Sequence, residues 1–174
     1  DTLSLHDALP IYSTAIVDSS GGHAFVGISS TTAWNFTTAP TFSSWISNPS
    51  FGIALADRDL GDDTDGDGIQ NGVENFFGTH PNTFTQGLIA GSKSGNTFIF
   101  THPQNANPAI DLTANYRWST DMTTFQLGGV TSGATTVNFT TEANTPSVGF
   151  TRVTATATGA IPVRLFVDVR VTRP

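Results

Sequence analysis

The sequence predicts a mostly β protein whose C-terminal part is an antiparallel β-sandwich. Three observations predict it. Charged residues make up only 12% of the chain, Thr, Ser, Gly and Asn are abundant, and Lys93 is the single lysine, a profile of all-β modules rather than of helical enzymes. Apolar residues recur with period two in several short runs after residue 95, which is the signature of half-buried strands. Turn residues punctuate those runs at Asn105-Ala106-Asn107-Pro108, Gly128-Gly129 and Asn144-Thr145-Pro146, a spacing that suits roughly five to seven short strands.

Taken in order, residues 12–40 read as strand, Gly-rich turn and strand, ending in Trp34-Asn35-Phe36-Thr37-Thr38. Residues 41–94 form a connector. It opens with Phe42, Trp45 and Ile46, spaced for one helical turn and stopped by Asn48-Pro49. Phe51 to Gly61 carries no amphipathic helix, but residues 70–77 do read as a short one. Val73, Phe76 and Phe77 give its apolar stripe, Gly78 its C-terminal stop, and His80-Pro81 forbids continuation. Gly91-Ser92-Lys93-Ser94-Gly95 reads as a linker or turn; the G-x-x-x-x-G-K-[ST] spacing of a phosphate cradle is missing.

Residues 95–174 carry the sandwich. Phe98 and Phe100 share a face, as do Tyr116 and Trp118, Val137 and Phe139, and then Val153, Ala155 and Ala157. In the last segment Val163, Leu165, Val167, Val169 and Val171 oppose Arg164, Phe166, Asp168 and Arg170. Each buried apolar side chain contributes about 1.5–3 kcal/mol, so this part is expected to fold independently.

Asp63 to Glu74 reads D-T-D-G-D-G-I-Q-N-G-V-E, and every position at which a twelve-residue calcium loop needs a given atom can supply it. Asp63, Asp65 and Asp67 occupy positions 1, 3 and 5, Gly68 allows the sharp turn at 6, and Glu74 at 12 offers two oxygens. Ile69 contributes its backbone carbonyl, and Asn71 binds directly or through a water. Charge points the same way. Two carboxylates about 4 Å apart repel by roughly 4 kcal/mol in a partly screened environment, and Asp62, Asp63, Asp65, Asp67 and Glu74 crowd one loop in which Arg58 is the only nearby base. The expected cofactor is Ca²⁺, in a structural rather than a switching site.

This loop, followed by Asn75-Phe76-Phe77-Gly78-Thr79-His80-Pro81, resembles the calcium-binding repeat related to thrombospondin type 3 and dockerin-like loops of large bacterial surface and secreted proteins. The resemblance covers about a tenth of the chain and, with one loop where those modules use several or a pair, does not extend to cohesin docking. It implies calcium ligation by Asp63, Asp65, Asp67, Asn71 and Glu74 between extracellular β-domains. Tyr12 to Thr38 resembles the last strands of a bacterial Ig-like domain. The final part is similar to the C-terminal β-domain that follows such loops, through N-T-F-I-F-T-H-P-Q-N-A, Y-R-W-S-T-D-M-T-T-F and R-L-F-V-D-V-R-V. Asp1 to Ile11 resembles translated sequencing adapter, so His6 and Asp7 are excluded from the reasoning. The family implies a secreted or surface location and a structural or adhesive role whose partners are neighbouring domains, surface glycans or other surface proteins.

Composition narrows the alternatives. A net charge of −7 is wrong for nucleic acid, whose phosphates require Lys and Arg. No run of about 20 apolar residues is present for a membrane-spanning helix. Without cysteine there are no disulfides or thiolate metal sites. The sequence holds no G-x-S-x-G elbow and no H-E-x-x-H helix. His80 and His102 each precede proline, which suits turns. Asp111 and Asp121 fall in expected turns, and Asp168 lies between arginines on an outward strand face, so catalysis is not expected. The rival reading is a carbohydrate-binding module, for which Trp34, Trp45, Trp118 and Phe166 are the candidate platforms.

Overall fold

The computed structural model describes residues 40–174. Residues 1–11, read as adapter, and all but residue 40 of the 12–40 segment, Trp34 included, lie outside the described residues. Among the described residues, eight strands build two antiparallel sheets, in keeping with a mostly β fold. One sheet has five strands in the order β1 (Ala90–Ser94), β2 (Thr97–Pro103), β7 (Phe150–Gly159), β6 (Thr135–Ala143) and β5 (Thr131–Ser132). The other has three, β4 (Gln126–Leu127), β3 (Thr113–Ser119) and β8 (Phe166–Thr172).

The alternation seen in the sequence accounts for how the sheets meet. Along β7, Thr151, Val153, Ala155 and Ala157 are buried while Arg152, Thr154 and Thr156 are only partly covered. Ala155 and Ala157 cluster with Val137 of β6 and with the fully buried Trp118 of β3, so two small residues leave room for the largest side chain of the opposite sheet. Phe98, Phe139, Leu165 and Val167 close round this core.

Two strand assignments differ from the sequence expectation. Ala90–Ser94 is no linker: it pairs in register with β2, from Ala90 opposite Thr101 to Ser94 opposite Thr97. All five of its residues are exposed, because an edge strand is held by main-chain hydrogen bonds and needs no apolar alternation. Lys93 gives that open edge a charge, a common guard against edge-to-edge association. Gly91 lets the Phe98 ring lie close, since a Cβ there would stand 2.8 Å from it and the ring would have to shift. At the other end of the chain the predicted run from Val163 is too long. β8 begins at Phe166, and Val163 is 95% exposed in the coil that precedes it.

The connector is docked, not free. Helix α1 (Phe42–Ile46) is capped by the Thr41 hydroxyl, which accepts from the Ser44 N–H, and is followed by a 3₁₀ turn over Pro49–Phe51. Phe42, Ile46, Ile53 and Ala109 form a second core, flanked by Trp45, Phe51, Leu60 and Leu112. Ala109 and Leu112 belong to the excursion between β2 and β3, so that excursion ties the connector to the sheets. There the Ile110 N–H donates to the Pro40 carbonyl. Asp111 accepts from the Phe42 N–H at 2.7 Å and pairs with Arg173 at 3.2 Å, and the Arg173 guanidinium lies 5.3 Å from the centre of the Phe42 ring.

Candidate metal centre

The acidic loop turns back on itself through its own side chains. Asp63 Oδ1 accepts from the Gly66 and Asp67 N–H groups at 2.9 and 3.2 Å, and its Oδ2 from Gly68 at 2.9 Å. Asp65 Oδ1 accepts from Asp67 N–H at 3.1 Å, and Asp67 Oδ1 from Ile69 N–H at 2.7 Å. Such short Asp-to-backbone bonds make a tight turn locally stable. Gly66 and Gly68 have φ of 76° and 91°, a left-handed region in which a β-carbon is strained. The outcome is that Asp63, Asp65 and Asp67 each bring a carboxylate oxygen within 4.8 Å of the others.

Helix α2 (Asn71–Phe77) follows at once and ends where Gly78, at φ 81°, returns its N–H to the Glu74 carbonyl. Glu74 is fully buried. Its Oε1 has only a long contact, 3.4 Å, from the Thr79 hydroxyl. Its Oε2 has no hydrogen-bond partner among the described residues, and neither has the buried Oδ2 of Asp65. Burial first, and then the charges of Asp65, Asp67 and Asp63, push the Glu74 carboxyl up to about 8. Two buried acidic oxygens without a partner among the described residues, beside three converging carboxylates, make a cluster that could hold a metal ion.

The helix face differs from the predicted one. Phe77 is buried as expected, but Val73 and Phe76 are only half covered, while Asn71, Gly72, Glu74 and Asn75 are fully enclosed. The two asparagines have backbone to serve. Asn71 donates through Nδ2 to the Asp57 and Asp59 carbonyls, both at 3.0 Å, and its Oδ1 lies 3.1 Å from the Thr64 hydroxyl. Its main-chain N–H reaches the Asp62 carbonyl at 2.7 Å. It clasps residues 57–62 to the start of the helix, a role that the ligand spacing did not reveal. Gly72 brings the same segments into contact, for a Cβ there would meet Leu60 Cδ1 at 2.6 Å and the Leu60 carbonyl oxygen at 3.2 Å. Ile69 is half-buried just before the helix. Asp62, crowded in sequence with the others, instead caps its own turn by accepting from the Asp59 N–H.

Further contacts bind the loop to the body. Asp67 Oδ2 accepts from the Thr85 N–H at 2.9 Å, which fixes the chain leading to β1. On the far side, Asn105 Nδ2 donates to the Asn75 carbonyl at 2.7 Å, the Asn105 N–H and the Gln104 amide reach the Phe76 carbonyl, and Asn75 Oδ1 accepts from the Ala109 N–H. Carbonyls at the end of α2, which have no partner within the helix, are thus satisfied by the β2–β3 excursion.

His102 also departs from expectation. It lies within β2, not in a turn, and is fully buried. Its Nδ1 is 2.6 Å from the Pro103 carbonyl and its Nε2 2.7 Å from the Tyr116 hydroxyl. A carbonyl can only accept, so Nδ1 carries the proton and Nε2 receives the Tyr116 O–H. Burial holds the imidazole below its usual range and pushes the Tyr116 phenol up to about 12. The ring stacks on Phe77 of α2 at 4.8 Å. His80 does sit at a turn, where its Nδ1 accepts from the Asn82 N–H.

The three remaining candidate carboxylates are each spent on scaffolding. Asp111 joins α1 to Arg173 as described above. Asp121 accepts from Ser119 Oγ and from the Thr123 and Thr124 N–H groups, which hold its carboxyl well below the usual range. Asp168 takes a two-pronged contact from Arg117, whose guanidinium also lies 5.0 Å from the centre of the Phe125 ring. Among the sugar-platform candidates Trp118 is in the core, Trp45 packs on Phe42 and Phe51, and Phe166 is half-buried.

Comparison of the chain with protein-family models, with curated proteins and with solved structures gives no match.

Proposed function

We propose that this chain is a calcium-stabilised structural or adhesive module of a larger extracellular bacterial surface protein, with no catalytic step of its own. The observation that carries the reading is the pair of buried, unpartnered carboxylate oxygens, Asp65 Oδ2 and Glu74 Oε2, beside the clustered Asp63 and Asp67 carboxylates. An all-oxygen donor set suits a hard cation, and the flexible demand of Ca²⁺ for six to eight oxygens fits a loop better than the strict octahedron of Mg²⁺. Asp63, Asp65, Asp67 and Glu74 would hold the ion with the Ile69 carbonyl, and Asn71 would do so directly or through a water while clasping residues 57–62. Bound calcium would supply charge neutralisation and nothing else. The family resemblance supports the extracellular setting, for which an affinity of about 10⁻⁴–10⁻³ M is expected.

Thermal melts in calcium and in chelator test this reading. At a calcium concentration of about 100 times the Kd, a ligand confined to the folded form adds about 2.7 kcal/mol. For a domain of this size that corresponds to a melting temperature raised by roughly 8 °C. Asp67→Ala should abolish the rise. An identical melt in calcium and in chelator would refute the proposal.

A further inference from the structure

At one end of the sandwich the two sheets part around a groove of about 420 Å³, within the range of roughly 300–1,000 Å³ usual for small-molecule clefts. Phe98, Leu165 and Phe166 line it together with the coil residues Ile161 and Val163, which are 49% and 95% exposed. Large apolar residues are exposed at several other places among the described residues, Leu55 and Val148 among them, but Ile161 and Val163 both border a ready cleft. Among the described residues, the only charges lining the groove are Lys93 and Arg164. Neither belongs to an ion pair among the described residues, where Arg117, Arg152 and Arg173 do. In a chain with twice as many acidic as basic residues, a groove bearing two cations and no acid is set up for an anion.

The lining also selects the rest of the ligand. Asn96, its amide residue, already donates through the side-chain Nδ2 to the Ala157 carbonyl, while its main-chain carbonyl accepts the Ala157 N–H. Sugar hydroxyls or peptide amides would therefore enter with few partners, at the cost of burying unsatisfied polar groups. A hydrocarbon chain brings no such groups. We infer that the groove binds a free, unbranched fatty carboxylate, with its chain along Phe98, Ile161, Leu165 and Phe166 and its head group between Lys93 and Arg164.

Titration calorimetry of the full chain with octanoate, decanoate and dodecanoate tests this. The acids are kept below their micellar concentrations, and calcium is held stoichiometric so that no calcium soap forms. Saturable one-to-one binding is expected, tightening by up to about fourfold per added methylene until the groove is full. Arg164→Ala and Lys93→Ala should each weaken decanoate by up to about fivefold, the ceiling for an exposed ion pair, and leave decanol binding unchanged. Arg164→Lys should restore it, and Val163→Glu should abolish decanoate binding without lowering the melting temperature. The inference is overturned if decanol binds as tightly as decanoate, if affinity ignores chain length, or if an apolar peptide with a free C-terminal carboxylate binds more tightly than decanoate.

Discussion

Replacing Glu74 by Gln isolates the energetic role of the buried acid. In the metal-free protein the Glu74 carboxyl is raised from 4.5 to about 8, so between those values the folded chain holds a proton that the unfolded chain has released. A folded pKa raised above the unfolded one contributes stability that is complete below pH 4.5 and is lost as pH climbs toward 8. At 1.36 kcal/mol per unit the loss is about 3 kcal/mol at pH 7 and about 5 kcal/mol above pH 8. Gln has nearly the shape of the protonated acid and cannot ionise. Glu74→Gln in chelator should therefore be more stable than the parent, by little at pH 4.5, by up to about 3 kcal/mol at pH 7 and by more at pH 9. Calcium should stabilise the parent but not the variant, which trades a metal response for metal-free stability. Urea denaturation of both proteins at the three pH values, in chelator and in excess calcium, measures each quantity, and their difference cancels the other titrating groups. A variant less stable than the parent in chelator at pH 9 would show that Glu74 is not strained, and one that keeps the full calcium shift would show that it is not a ligand.

Other expectations follow from the same contacts. His102 is held neutral with a lowered pKa, so its contribution is intact above the usual histidine range and is lost as pH falls through its own value. Tyr116→Phe leaves Nε2 without a donor at the cost of about 1–3 kcal/mol, read from denaturation at pH 8, and should flatten the acid limb of the stability curve. Gly72→Ala forces a Cβ against Leu60; a loss of about 1–3 kcal/mol from overpacking, together with weaker calcium binding by calorimetry, is expected, and an unperturbed affinity would separate the Leu60 contact from the loop.

The sequence was most legible where geometry depends on fixed spacing. Asp63, Asp65 and Asp67 converge because three alternate residues in a tight turn must, and Gly78 stops α2 because its left-handed φ of 81° suits glycine. Val153, Ala155 and Ala157 are all buried as their alternation requires. Periodicity failed where main-chain needs, not side-chain polarity, decide burial. β1 is a strand of polar residues because β2 offered it an open edge, and Asn71 and Asn75 are buried because carbonyls and N–H groups of neighbouring segments need partners. His102 escaped because a following proline usually marks a turn, yet Pro103 closes β2 opposite Phe150. Gly72 was the available clue to the clasp, a glycine at the start of a helix where nothing but close approach calls for it.

Asp111 receives the Phe42 N–H from one extremity of the described body and the Arg173 guanidinium from the other. Tension applied at residues 40 and 174 would therefore cross a bridge a few residues wide, backed by the end of the β3–β8 ladder where Thr113 pairs with Thr172, while the acidic loop and the five-stranded sheet hang beside the load path as a pendant. Under stretching the first event would be rupture at that bridge, and the metal-bearing segment would feel force only after it had given way.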